Sequence, residues 1–221
     1  VTRAAGQGDF LVPGRKARID EVVASRTRTL TVVMEAFCDP QNVNAVLRTC
    51  EAFGVQEIHV VEGPMKPYDR NKKISQNADK WLDVRRWKTT AECLGHLKAE
   101  GFRLYATHLG EASRPLADLS FAGKVALVFG NENRGVSDEA LALADALYAI
   151  PMLGFVQSLN VSVAAAVSLF RAVERRVAER GRHGDLAPED AQALRERFYV
   201  LAVKQRARVV KAEAVLARRR R

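Results

Sequence analysis

Five short runs of β-branched and aromatic residues punctuate the chain: TLTVVME at 29–35, EIHVVE at 57–62, FRLYATHL at 102–109, KVALVFG at 124–130 and ALYAIPM at 146–152. Several are apolar almost without interruption, the pattern of strands buried on both faces of a parallel sheet. Between them apolar residues recur at helical spacing. Val43, Val46, Leu47, Cys50 and Phe53 follow one another at steps of 3, 1, 3 and 3, and residues 90–99 and 137–145 carry similar stripes. Strand and helix patterns that alternate in this way predict an α/β fold, a mostly parallel sheet flanked by helices.

Both flanks of this core read differently. Residues 1–28 carry Arg3, Arg15, Lys16, Arg18, Arg26 and Arg28, with Gly6, Gly8 and Gly14 loosening the start, so a frayed beginning and a short basic helix are expected. After the breaker GRHGD at 181–185, Pro188 at a first helical turn opens a long helix carrying Leu194, Phe198, Leu201, Val209 and Leu216. Lys204, Arg206, Arg208 and Lys211, followed by ARRRR, make its far end either a solvated extension or a polyanion contact. The expected organisation is a basic N-terminal extension at 1–28, a core at 29–180 and a basic C-terminal helix at 181–221.

Composition narrows the class. A chain of 221 residues that is 48% hydrophobic can bury one full core. Its 35 Lys and Arg against 26 Asp and Glu leave a charge of +9, which suits a polyanionic partner. Cys38, Cys50 and Cys93 form no CxxC pair or metal-ligand spacing, so neither a disulfide framework nor a metal site is expected, and a reducing cytoplasm fits. No basic-then-apolar leader opens the chain, and its most apolar run, 159–170, is too short and interrupted to span a membrane. His59, His96, His108 and His183 stand apart with no i, i+4 pair, giving no support to metal or serine-hydrolase chemistry.

Three loops remain as candidate chemistry. FGNENRGVS at 129–137 follows a strand pattern and precedes a helix, where α/β folds place nucleotide loops. Gly130 and Gly135 are spaced as in a P-loop, but Val136 stands where a Walker lysine would be, and no GxGxxG follows any strand. The plain alternative is a tight glycine turn with Glu132 or Asn133 satisfying local amides. DPQNVNAVLRTC at 39–50 is a second strand-to-helix turn, with Asn42 and Asn44 near the helix start. Arg48 lies about 9 Å further along the axis, off the apolar stripe. In IPMLGFVQSLNVSVAAAVSLF at 150–170, Pro151 and Gly154 shape a loop whose Ser158 or Asn160 either caps the next helix or helps hold a ligand at its start. Local sequence leaves both open.

Together the loops resemble one family. NVNAVLRTCEAFGV, LVFGNENRGVS and IPMLGFVQSLNVSVAAAV look like the three ordered motifs of the SPOUT superfamily of RNA methyltransferases, nearest its TrmH branch, which methylates ribose 2′-hydroxyls; the resemblance spans roughly residues 15–180. It implies a C-terminal deep trefoil knot, bound S-adenosyl-L-methionine and a homodimer, none of which periodicity or composition can indicate. Carried over by position, it places the cofactor at Thr107, Gly130 to Glu132, Ile150, Met152, Ser158 and Leu159, and catalysis at Asn42, Arg48, Glu132, Ser158 and Asn160. Arg48 is the candidate for stabilising a ribose oxyanion or orienting the target phosphate. The short basic flanks, with KKISQNADKWLDVRRW at 72–87, look like those of members that methylate the D-loop guanosine of tRNA, with Arg15, Arg18, Arg26, Lys204, Arg206, Arg208 and Lys211 as RNA contacts. The alternatives are the same chemistry on ribosomal RNA and a knotted RNA-binding protein without catalysis.

Overall fold

The computed structural model describes residues 11–62 and 78–219, with Ala78 and residues 205–219 described by backbone alone. The chain divides into two compact units, Thr27–His183 and the pair Val1–Arg26 with Gly184–Arg221. Its helices are α1 (Pro13–Ala24), α2 (Pro40–Ala52), α3 (Thr90–Ala99), α4 (Asp138–Leu143), α5 (Val161–Arg180) and α6 (Pro188–Arg219). The strands are β1 (Leu30–Glu35), β2 (Glu57–Val61), β3 (Asp83–Trp87), β4 (Arg103–Thr107), β5 (Arg114–Pro115), β6 (Val125–Phe129) and β7 (Ala146–Ala149).

The larger unit is built on one sheet in the order β3-β2-β1-β6-β4-β7-β5, and every pairing in it is parallel. The central strands β1 and β6 are buried at every position, β6 as an unbroken apolar run and β1 as one interrupted by Thr31 and ended by Glu35. Val43, Val46, Leu47 and Cys50 of α2 and Ala165, Leu169 and Ala172 of α5 close one face. Cys93, Leu94 and Leu97 of α3 and Ala140 of α4 close the other. All three cysteines are free thiols. Burial, with a smaller contribution from the negative charge of Glu35, pushes the Cys93 thiol up to about 12.

The runs at 102–109 and 146–152 give shorter strands than their length suggests, ending at Thr107 and Ala149. Pro151 lies just past the second and has no N–H to offer a ladder. Two strands escape the apolar pattern. Among the described residues β3 is an edge strand paired only to β2, with Arg85 and Arg86 exposed, so it reads as charged, and β5 is two residues long. The break at GRHGD is a left-handed cap: Gly181 has φ 74° and donates to the Val177 carbonyl at 2.9 Å.

In the smaller unit α1 and α6 each bury an apolar stripe, Ile19 with Val23 and Leu194 with Phe198. Asp20 Oδ1 accepts from Arg195 Nε at 2.9 Å and from the Tyr199 hydroxyl at 2.7 Å. Arg26 is only 1% exposed, its guanidinium carbon 5.7 Å from the centre of the Phe198 ring. This corrects the reading of Arg26 as an RNA contact: the cation is spent on packing and a ring face. Arg15, Arg18 and Lys204 are exposed, and Arg18 pairs with Glu21 at the surface. The side chains of Arg206, Arg208, Lys211, Val209 and Leu216, together with Arg3 and residues 72–77, lie outside the described residues.

Candidate functional site

The 130–137 loop is a closed turn. Asn131 and Gly135 exchange backbone hydrogen bonds of 2.9 and 2.8 Å, with Gly135 at φ 72°. The closure brings Gly135 so near Gly130 that a Cβ on residue 130 would sit 2.2 Å from the Gly135 carbonyl carbon, so no larger residue fits there. Asn131 satisfies the local amides, its Oδ1 accepting from the N–H groups of Asn133 at 2.9 Å and Arg134 at 3.2 Å. The sequence reading gave that work to Glu132 or Asn133. An asparagine beside a glycine turn is the signal for it, since its side chain mimics the next backbone turn.

Glu132 points away from its own loop, toward the start of α2. Its carboxylate accepts from the N–H of Cys38 at 2.9 Å, from that of Asp39 at 3.2 Å and from Asn42 Nδ2 at 2.9 Å. Partial burial favours the protonated acid, but the hydrogen bonds from Cys38, Asn42 and Asp39 prevail and hold its pKa below the ordinary carboxylate range. Asp39 caps α2 by accepting from the Gln41 N–H at 2.8 Å, which sets Asn42 in the first turn facing Glu132.

The third loop joins the same network. Asn160 caps α5, its Oδ1 accepting from the Ser162 N–H at 2.9 Å, while its Nδ2 donates to Asn42 Oδ1 at 3.1 Å. Of the two candidates left open by local sequence, Asn160 is the cap, and the same side chain joins the Asn42 and Glu132 network. Ser158 is exposed and takes no part in the cap. Gly154 has open space about it, so its place in the loop is not dictated by close approach.

A cleft of about 750 Å³ opens between these loops. Thr107, Gly130, Ile150, Met152, Ser158 and Leu159 all line it, as do Glu132 and Asn160. Phe129, Tyr148 and Val161 add apolar wall. Tyr148 is buried with its hydroxyl donating to Ser168 Oγ at 3.0 Å, and burial raises its pKa. Arg48 and Asn42 are not part of the lining: Asn42 is buried beneath the network, and Arg48 is exposed on α2. Among the described residues, no group of His, Cys, Asp and Glu is placed to hold a metal ion.

The size and lining fit a nucleoside-like ligand: apolar walls for a flat ring and an aliphatic chain, with loop backbone and a few hydroxyl, amide and carboxylate groups to orient it. The family model for the SpoU rRNA Methylase family matches residues 29–170. A tRNA (guanosine(18)-2′-O)-methyltransferase of Thermus thermophilus is 45% identical over 163 residues, 74% of this chain and 84% of the relative. The crystal structure of the A. aeolicus TrmH/SpoU tRNA modifying enzyme is similar at a TM-score of 0.77 and 32% identity, covering 86% of this chain and 97% of that one. The SpoU methyltransferase AviRb from Streptomyces viridochromogenes, solved in complex with the cofactor AdoMet, is similar at a TM-score of 0.63 and 25% identity, covering 72% and 64% of the two chains.

Proposed function

The chain belongs to the SpoU rRNA Methylase family, and from that membership together with its 45% identity to a tRNA (guanosine(18)-2′-O)-methyltransferase we propose that it transfers a methyl group from S-adenosyl-L-methionine to the ribose 2′-hydroxyl of guanosine 18 in the D-loop of tRNA. One observation carries the reading: Glu132 and Asn160, which line the cleft, are both hydrogen-bonded to Asn42, so the first motif is tied from beneath to the two motifs that form the cleft.

When bound, S-adenosylmethionine supplies a methyl group already activated on a sulfonium, so what remains for the protein is the nucleophile. A ribose hydroxyl attacks only if its proton leaves or its developing negative charge is stabilised. Arg48, exposed on α2, orients the target phosphate and stabilises that oxyanion through its guanidinium. Glu132 holds Asn42, and Asn42 holds Asn160, so the polar edge of the cleft is fixed before RNA arrives. Thr107, Gly130, Ile150, Met152, Ser158 and Leu159 hold the cofactor.

A homodimer accounts for two further features. Arg48 stands outside the cleft of its own chain, and the surface carries a fully exposed Leu153 and Phe155 together with a stripe on α5 formed by Val163, Val167, Phe170 and Val177. A second copy packed on that apolar surface covers it and brings Arg48 of one protomer to the cleft of its partner. A deep trefoil knot at the C-terminal end of the core belongs to the same reading. Arg15, Arg18 and Lys204, with Arg206, Arg208 and Lys211, serve as phosphate contacts. Among the described residues no helix is long and apolar enough to cross a membrane.

The test is to incubate the protein with labelled cofactor and whole tRNA, a guanosine-to-adenosine D-loop variant, or ribosomal RNA, and to map ribose methylation by resistance to alkaline cleavage. Modification of tRNA at guanosine 18 and not of the variant is expected. Methyl transfer to ribosomal RNA alone, or to a base, overturns the substrate.

A further inference from the structure

Glu35 is a carboxylate at the end of a strand whose other residues are apolar or threonine, and it is only 4% exposed. It makes no contact with the cleft, and none of the chemistry above uses it. Its oxygens face three donors from two other parts of the fold. Oε2 accepts from the backbone N–H of Ser137 at 2.9 Å, and Oε1 accepts from the hydroxyls of Ser137 and Thr90. The Ser137 hydroxyl in turn accepts from the Ala140 N–H at 3.2 Å as the cap of α4, which leaves its proton for Glu35. Ser137 is the residue at which the 130–137 loop ends and α4 begins.

The same short segment receives the rest of the loop. Asn131 Nδ2 donates to the Ala36 carbonyl at 2.7 Å, and Glu132 accepts from the N–H groups of Cys38 and Asp39. Residues 35–39 are therefore a dock on which the loop is fastened at Asn131 and Glu132 near its start and, through Glu35, at Ser137 where it ends. We propose that Glu35 is a positioning residue for the cofactor: by holding Ser137 it fixes the 130–137 wall of the cleft in its binding conformation and thereby sets the affinity for S-adenosylmethionine. The proposal rests on the reading of the cleft as the site of that cofactor. Burying a carboxylate costs desolvation that its three donors offset, and truncating it leaves those donors unpaired in the interior, Ser137 among them.

The experiment compares four substitutions by calorimetric titration of S-adenosylmethionine, thermal unfolding and amide exchange of the loop in the ligand-free protein. Glu35→Ala is expected to weaken cofactor binding about tenfold or more and to speed exchange at residues 131–137. Glu35→Gln can still accept from the Ser137 N–H through its amide oxygen while its amino group donates to the two hydroxyls, so it should restore binding to within about threefold. Thr90→Val removes a donor that does not belong to the loop and should lower stability with the cofactor affinity unchanged. Ser137→Ala should weaken cofactor binding by at least about threefold. Should Glu35→Ala fail to fold, the contrast between Ser137→Ala and Thr90→Val decides the matter. Equal affinities across the set, or losses that merely follow the fall in thermal stability, overturn the proposal. If the unsubstituted protein binds no S-adenosylmethionine, the functional reading fails instead, and loop exchange in Glu35→Ala still reports whether the clasp exists.

Discussion

Asn160 Nδ2 donates to Asn42 Oδ1 at 3.1 Å although 118 positions separate the two residues along the chain. One is in the first turn of α2 and the other caps α5, so a single amide-to-amide bond fastens together two helix starts on the same face of the sheet. Asn42 donates its own amide to Glu132, so its side chain is used at both ends, and neither its carbonyl nor its amino group can be exchanged without loss.

Coupling between the two asparagines follows from that geometry. Asn42→Ala and Asn160→Ala should each cost roughly 1 kcal/mol or more of stability, and the double variant should fall short of their sum by about 0.5 to 3 kcal/mol. A double-mutant cycle by urea denaturation measures it. Strict additivity means that the bond is not made in solution.

Gly130 and Gly154 should respond oppositely to the same change. Gly130→Ala drives a methyl into the backbone of Gly135, so the loop cannot close and cofactor binding should be lost. Gly154→Ala meets nothing within 4 Å and should leave both stability and binding near those of the parent. Thermal unfolding with and without cofactor reads both.

Arg48 is exposed and outside the cleft of its own chain, so its removal should spare the cofactor site. Arg48→Ala should slow methyl transfer at least about a hundredfold, the scale of losing one oxyanion donor, with S-adenosylmethionine affinity unchanged. Mixed with a protomer disabled in the 150–160 loop, it should regain activity in heterodimers. Near-normal single-turnover transfer by the variant removes Arg48 from the mechanism.

Stability should fall in mildly acidic solution because of His59. Its Nδ1 accepts from the Trp87 indole N–H at 2.9 Å, which requires the neutral ring. Burial first, then the charges of Arg85 and His96, lower its pKa from 6.5 to about 4. The folded pKa lies below the unfolded one, so this stabilisation is complete above pH 6.5 and drains away as the pH falls through about 4. The slope in that window should reach at most about 1.4 kcal/mol per pH unit. Urea denaturation between these limits, repeated on His59→Gln, should show a shallower dependence in the variant; an identical slope assigns the effect elsewhere.

The sequence by itself determined the elements that local physics governs. Strands buried on both faces are mostly apolar, so β1, β2 and β6 stand out as β-branched and apolar runs, and Pro188 and Gly181 mark a helix start and a helix end because ring geometry and a left-handed φ suit those residues to such places. The family resemblance likewise named Thr107, Gly130, Ile150, Met152, Ser158 and Leu159 by position, and these residues meet in one cleft. Only the tertiary structure decided which side chains spend their polarity on one another. Exposed edge arginines hid β3, the Phe198 ring took Arg26 out of the basic surface, and Asn131 displaced its neighbours as the acceptor for the loop. Contacts such as Asn42 with Asn160 and Glu35 with Ser137 join residues that share no local pattern, because hydrogen bonds are chosen by distance in space, and that distance is set only once the parallel sheet has brought the ends of its strands together.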